Sequence, residues 1–188
     1  AGALEDLSRD ALREQFETNL FGWHDLNRLL IPMMRAQSRG RIIFNSSVLG
    51  LVCMPFRGAY NASKFALEAY ADTLRMELRN SGIQVVLIEP GPIRSQFRQH
   101  AYEAFVRHVD LDSSHYRSTY QTMIQRLKQS ADSSRFTQAP ESVAEKVVKA
   151  VEAGRPKTRY YVTFPTYLFA YLKRLLPTAI LDELLRRG

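Results

Sequence analysis

The chain has 188 residues, 45% hydrophobic and 24% charged, with a net charge of +7; that is enough for one domain with its own core, and it excludes a low-complexity or repeat protein. One cysteine, Cys53, excludes an internal disulfide framework and fits a reducing compartment, read here as the cytoplasm, while His24, His100, His108 and His115 do not cluster at metal-ligand spacing, so no metal is expected. No apolar run reaches the roughly 20 residues of a membrane span, and the scattered basic residues, richer towards the C-terminus, read as a solvated surface without the aromatic–basic pattern of a nucleic-acid binder.

The opening segment is predicted to be helical, capped by Asp6, Ser8 or Asp10, with Leu12, Phe16, Leu20, Trp23 and Leu26 or Asn27 on its apolar stripe. It continues through Met33–Met34, where Pro32 is expected to bend or close it. Arg41 to Ser47 reads as a short buried strand running into a polar tip, followed by a flexible loop from Val48 to Gly58. A second long helix is predicted from Ala59 to Arg79, with Ala66, Leu67, Tyr70, Leu74 and Leu78 on its stripe and Ser81–Gly82 as the stop. Ile83 to Ile88 is a β-rich apolar run ended by Pro90-Gly91-Pro92. Strand, helix and strand with short connections make a βαβ unit, and near-continuous apolar strands fit a parallel sheet covered on both faces.

Residues 94–138 are polar and weakly helical, and read as a lid over the sheet rim. A clean helix follows from Val143 to Glu152, then a strand from Arg159 to Thr163, then two amphipathic helices split by Pro177 over residues 164–188. Their lipophilic faces, interspersed with Lys and Arg, fit peripheral contact with a membrane as well as core packing.

Tyr60 and Lys64 stand four residues apart in the second helix, and so on one face, one turn apart. A free tyrosine, with a pKa of about 10, is a poor proton donor at neutral pH. An ammonium one turn away favours the phenolate and is expected to bring the phenol towards the working range. Ligands of such sheets bind at the carboxyl ends of the strands. Ser47 lies at one such end, Pro90-Gly91 at the other, and Tyr60 at the helix start that faces them, so three polar elements converge on one rim.

Asn45-Ser46-Ser47, Tyr60-Asn61-Ala62-Ser63-Lys64, Pro90-Gly91-Pro92-Ile93-Arg94-Ser95 and the helix motif Thr18-Asn19-Leu20-Phe21-Gly22, in this order and spacing, resemble the short-chain dehydrogenases/reductases. The resemblance implies a Rossmann-like, doubly wound parallel sheet, incomplete at the N-terminal half, in a single-domain fragment. Neither the family's glycine-rich phosphate loop nor its Asn-Asn-Ala-Gly segment stands in this sequence, which begins just beyond the latter. What is present corresponds to the C-terminal two thirds of such an enzyme, and activity is expected only together with the remainder.

The resemblance assigns roles as well. Tyr60 is the implied acid/base, Lys64 lowers its pKa and holds the ribose hydroxyls of an NAD or NADP cofactor, Ser47 stabilises charge on the reacting oxygen, and Asn19 anchors a water in the proton relay. Pro90, Gly91, Ile93 and Ser95 are implied beside the nicotinamide, Gly91 because a glycine admits close approach of a ligand. Substrate contacts are expected from Ser47, Leu49, Met54 and Phe97; Leu49, Val52, Met54 and Phe97 near the rim suggest an apolar pocket for a lipophilic alcohol, ketone or aldehyde. The two long helices form the dimer bundle in many members, which implies a homodimer or homotetramer. Two other readings stay open: a catalytically silent, truncated member acting as a binding or regulatory protein, and a basic membrane- or nucleic-acid-binding module. Cys53 reads as a small hydrophobe lining its loop rather than a nucleophile.

Overall fold

Three parallel strands order the molecule: β1 (Gly40–Asn45), β2 (Ile83–Glu89) and β3 (Arg159–Tyr161), side by side in that sequence. The structure is a computed structural model describing residues 1–128 and 135–186. β1 pairs with β2 from Gly40↔Ile83 to Asn45↔Ile88, and β2 with β3 from Leu87↔Arg159 to Glu89↔Tyr161. Successive strand side chains point to opposite faces, and the two faces take different helices. Ile42, Phe44, Val85 and Leu87 meet Leu67, Ala71 and Leu74 of α3 (Gly58–Glu77) and Trp23, Ile31 and Met34 of α2 (Gly22–Ala36). Ile43, Val86 and Ile88 turn the other way, onto Val143, Val147 and Ala150 of α6 (Glu141–Glu152). A parallel sheet with helices on both faces is the doubly wound arrangement expected from the sequence.

Phe44 fixes the centre of the first face. It is fully buried, with Trp23 and Tyr70 edge-on at ring-centroid distances of 6.2 and 5.9 Å. Arg41 ties the strands to α6 from the edge of the second face: its guanidinium bonds Gln84 Oε1 on β2 (Nε, 3.0 Å) and the carbonyls of Ala150, Val151 and Ala153 at the helix end. A cation there satisfies carbonyls that the helix leaves open.

The opening segment is not the single helix predicted. Ser8 caps α1 (Arg9–Phe16), its Oγ accepting from Ala11 N (3.1 Å), but a π-helical turn, Glu17–Phe21, separates α1 from α2. The wider turn shifts the phase of the apolar stripe. Leu12 and Leu26 are therefore exposed, while Asn27 is buried and Leu20, Trp23, Ile31 and Met34 pack on the core. Pro32 does not close the helix but stands inside α2, which runs on to Ala36. Its ring costs one backbone bond, offset by the packing of Ile31 and Met34.

Within the span predicted as a lid, α4 (Phe97–His108) and α5 (Arg117–Lys128) are well-formed helices, and residues 129–134 of that span lie outside the described residues. Phe105 and Tyr120 are buried with Ala3 and Val109, so much of this segment is core against the first residues of the chain. Tyr120 Oη accepts from Ala3 N (2.8 Å) and bonds the Asp6 carboxylate. The tail forms α7 (Phe164–Leu175) and α8 (Thr178–Arg186), divided at Pro177 as predicted, with residues 187 and 188 outside the described residues. Leu181 and Leu185 are buried with Val52 against Phe169 and Leu172. Among the described residues no helix is long and apolar enough to cross a membrane.

Candidate active site

The tip of β1 and the turn after β2 are stitched together before any side chain is considered. Ser46 N donates to Ile88 O (2.8 Å) and Val48 N to Pro90 O (2.7 Å). Ser47 caps the short 3-10 turn Val48–Gly50, its Oγ accepting from Leu49 N (3.1 Å). That bond holds the hydroxyl at the carboxyl end of the sheet. The Tyr60 hydroxyl faces Ser47, whose hydroxyl favours the phenolate. One turn along α3, Lys64 is buried; its Nζ donates to Asn45 O (2.8 Å) and stands 5.6 Å from the centre of the Tyr60 ring. The Phe97 ring, at the start of α4, meets the Tyr60 ring at 5.2 Å, inclined by 62°. Ser47, Tyr60, Lys64 and Phe97 are thus brought together.

The electrostatics differ from the sequence expectation. Burial pushes the Tyr60 phenol up from its usual value, opposed by the Ser47 hydroxyl that faces it and by the charge of Arg57. Lys64 does not bring it down towards neutrality as predicted. The physical reason is desolvation acting on both groups: it disfavours the phenolate and the ammonium alike. Burial lowers Lys64 from 10.5 to about 8, with Glu68 acting against that shift. Near neutral pH the pair is a neutral phenol beside a weakly held ammonium.

Asn19 sits in the π-helical turn. Its Nδ2 donates to Ser63 Oγ (3.0 Å), and Ser63 Oγ donates to Tyr60 O (2.9 Å). The wider turn thus presents an amide to α3 beside Tyr60, and sites of this kind favour π-helical turns. Asparagine is a poor helix-interior residue, and that was the sequence signal of its special position.

The turn after β2 is built otherwise than predicted at one residue. A Cβ on Gly91 would come within 2.1 Å of Thr163 Oγ1 and 2.9 Å of Thr166 Oγ1. Both threonines are fully buried. The close approach that requires glycine therefore comes from this chain's own threonines. Ile93 forms a parallel bridge with Gln138, through Gln138 N to Pro92 O (3.1 Å) and Arg94 N to Gln138 O (2.9 Å). In such a bridge the amide and carbonyl of Ile93 itself face the opposite side, which fits a residue whose backbone is to meet a carboxamide. Ser95 is exposed, and its Oγ accepts from Phe97 N (3.3 Å).

Of the other expected substrate contacts, Leu49 is enclosed beside Ser47 and Met54 lies apart. Leu49 is the middle residue of the 3-10 turn, with its side chain buried. Met54 lines a cleft of about 660 Å³ with Asn61, Ala62 and Phe65, on the flank of α3 away from Tyr60 and Lys64. Cys53 is exposed on that loop rather than packed. Among the described residues no cluster of His, Cys, Asp and Glu could hold a metal ion.

Sequence reasoning missed what lies behind Lys64. Arg159 on β3 reaches Glu68 (Nη2–Oε2, 2.9 Å) and forks onto both oxygens of Asp72 (3.0 Å each), with Nε 3.0 Å from Glu89 Oε1. Glu68 is four residues on from Lys64 and Asp72 four more, one face of one helix, so the spacing was there to be read. Glu89 ends an otherwise apolar strand, is fully buried, and is pushed up to about 8 by burial and by the neighbouring Glu68 charge.

A family model described as short chain dehydrogenase matches residues 1–105. The uncharacterized oxidoreductase YbbO of Escherichia coli K12 is 43% identical over 185 residues, covering 98% of this chain and 62% of that protein. Retinol dehydrogenase 8 of Bos taurus is 34% identical over 163 residues, covering 84% of this chain and 51% of that one. The crystal structure of a short-chain dehydrogenase/reductase from Burkholderia phymatum in complex with NAD superposes with a TM-score of 0.71 at 25% identity, over 98% of this chain and 63% of the other. The chain thus spans about three fifths of the length of the first of these relatives.

Proposed function

The chain belongs to the short chain dehydrogenase family, and from that premise we propose that it forms the catalytic and substrate-binding part of an NAD- or NADP-dependent oxidoreductase that interconverts an alcohol and a ketone or aldehyde. Ser47 and Tyr60, facing each other at the carboxyl end of the sheet with the Lys64 ammonium 5.6 Å from the Tyr60 ring, carry this reading. When bound, the dinucleotide supplies or takes up the hydride. Lys64 Nζ and the backbone of Ile93 are the groups of this chain that would hold its nicotinamide end. Ser47 holds the substrate oxygen and stabilises charge that develops on it. The Tyr60 hydroxyl, kept neutral by burial, donates its proton to that oxygen in reduction and receives it back in oxidation. Lys64 then faces the phenolate that proton donation leaves, the moment at which its positive charge counts most. Asn19, tied to Ser63, keeps the first turns of α3 in register with the opening helices, and its proposed part in the reaction is to anchor a water of the proton relay.

A lipophilic substrate is the second element of the proposal. The Phe97 ring against Tyr60 supports it, as does the likeness to a retinol dehydrogenase. A second copy of the chain is proposed against the long helices, where Leu29 and Met33 of α2 are 70% and 59% exposed. The outward faces of α7 and α8, with Tyr171 and Leu175 exposed among basic residues, are proposed to rest on a membrane surface.

The test uses the complete protein that carries this chain. Reduced and oxidised dinucleotides are offered with a panel of lipophilic ketones, aldehydes and alcohols, and turnover is followed at the nicotinamide absorbance. Tyr60→Phe is expected to lose about 10²–10⁴-fold in kcat with dinucleotide binding retained. A variant that turns over like the wild type would refute the assignment.

A further inference from the structure

Glu68, Asp72, Glu89 and Arg159 are the most unusual feature the reaction leaves unused. Arg159 and Arg75 face three carboxylates there, and Arg75 is already engaged with Asp72 at 2.8 Å. Glu68 Oε1, both carboxyl oxygens of Glu89 and the hydroxyl of Ser46 are buried without an aligned hydrogen-bond partner. The Arg159 Nε contact with Glu89 Oε1, at 3.0 Å, is an ion pair rather than an aligned hydrogen bond. Unpaired anionic oxygens in such a place are strongly disfavoured. Two adjacent buried carboxylates relieve that cost by keeping one proton between them. One guanidinium, that of Arg159, touches both carboxyls, at 2.9 Å from Glu68 and 3.0 Å from Glu89, and the Glu68 charge raises the proton affinity of Glu89, the arrangement that one shared proton makes favourable.

We propose that Glu68 and Glu89 share one proton behind Lys64, and that this pair, clamped by Arg159, positions the Lys64 ammonium and sets how firmly it holds its charge. Glu68 is one helical turn from Lys64 on the same buried face. On α3 the other ionisable groups facing the pair are Asp72 and Arg75, with Tyr60 beyond Lys64. From the sheet come Glu89 itself and, on β3, Arg159 and Tyr161. From α7, Lys173 and Arg174 border the same cleft and add positive charge at its outer end. Within this set Glu68 is the carboxylate that acts on Lys64, raising its proton affinity against burial. Loss of the shared proton leaves a second negative charge behind Lys64 and tightens its hold on its own proton, so the two titrations are coupled.

The proposal rests on the dehydrogenase reading only for what Lys64 does in the reaction; the coupling itself is measured without turnover. In the complete protein labelled with 15N-lysine, the Lys64 Nζ resonance, assigned by its absence in Lys64→Arg, is followed from about pH 6 to about pH 10. The wild type should titrate in two steps, one from Lys64 and one from the acid pair. Glu68→Gln should lower the proton affinity of Lys64 about tenfold, taking a one-decade shift as the effect of one nearby charge, and move the alkaline limb of kcat with it while KM holds. Glu89→Gln, which keeps the shape of the neutral acid, should leave a single step, and it carries the test alone if Glu68→Gln does not fold. One identical step in wild type and folded variants overturns the proposal. Coupled titration in a protein inactive on every substrate would sustain it and count against the dehydrogenase reading instead.

Discussion

Alanine at position 91 separates two reasons for the same glycine. The backbone there is not in the left-handed region, which among the described glycines holds Gly2 and Gly82, so alanine meets no conformational barrier. Its Cβ would stand 2.1 Å from Thr163 Oγ1 and 2.9 Å from Thr166 Oγ1, with both threonines sealed from solvent. Overfilling a closed site of this kind costs about 1–3 kcal/mol. Thr163→Ala removes the closest atom and leaves the Thr163 Cβ at 3.4 Å, an ordinary contact. Alone it gives up the Thr163–Thr166 hydroxyl contact of 3.2 Å, worth about 1 kcal/mol. In the double variant most of the clash is gone, so the two effects should fall short of additivity by about 1–2 kcal/mol. Urea unfolding of the complete protein and its three variants, with equal m values, measures this cycle, and dinucleotide affinity is measured alongside. Additive costs, or a Gly91→Ala protein that keeps its stability and loses only the dinucleotide, would refute the packing explanation and return the glycine to the ligand.

Phe44→Ala is expected to cost about 3–5 kcal/mol, since the ring is fully buried between Trp23 and Tyr70; a loss under about 1 kcal/mol by the same unfolding assay would show that this side chain does not hold the first face. Glu89→Gln tests the buried acid through pH. Because Glu89 is raised from 4.5 to about 8 in the folded chain, its stabilising contribution is full below about pH 4.5, declines as pH rises to about 8 and is constant above, a change of up to about 5 kcal/mol at about 1.4 kcal/mol per decade. Glutamine has no proton to lose there, so wild type and variant should match near pH 4.5 and diverge in the variant's favour towards pH 8. Parallel stability curves would show that Glu89 is ionised throughout.

Much of the layout was legible because it rests on local chemistry. The apolar runs of β1 and β2, the Ser81–Gly82 stop and the Pro177 break each depend on a few neighbouring residues, and each appears within a residue or two of its predicted place. The spacing from Tyr60 to Lys64 is a property of one helix, so their common face was legible too. What escaped depends on partners distant in the chain. The π-helical turn at Asn19 exists through contact with Ser63, 44 residues on, and no periodicity in the opening segment marks it. Gly91 answers to Thr163, which is not in its motif. The upward shift of Tyr60 comes from enclosure by the whole rim, whereas the sequence supplied only the nearest charge.

Arg159 gives the chain a timetable. It is 91 residues from Glu68 and 87 from Asp72, so β1, α3 and β2 can assemble well before their cation arrives. In a chain whose β3 docks last, Glu68 and Glu89 would face each other without the guanidinium, and such a sheet would be most easily closed with protons on both. The last strand would then act as a latch whose arrival exchanges a proton for an arginine. Loop closure over such a separation is slow, and with both acids ionised the arginine-free sheet would close less readily, so refolding should slow with alkalinity, a dependence carried by the order in which the residues were joined.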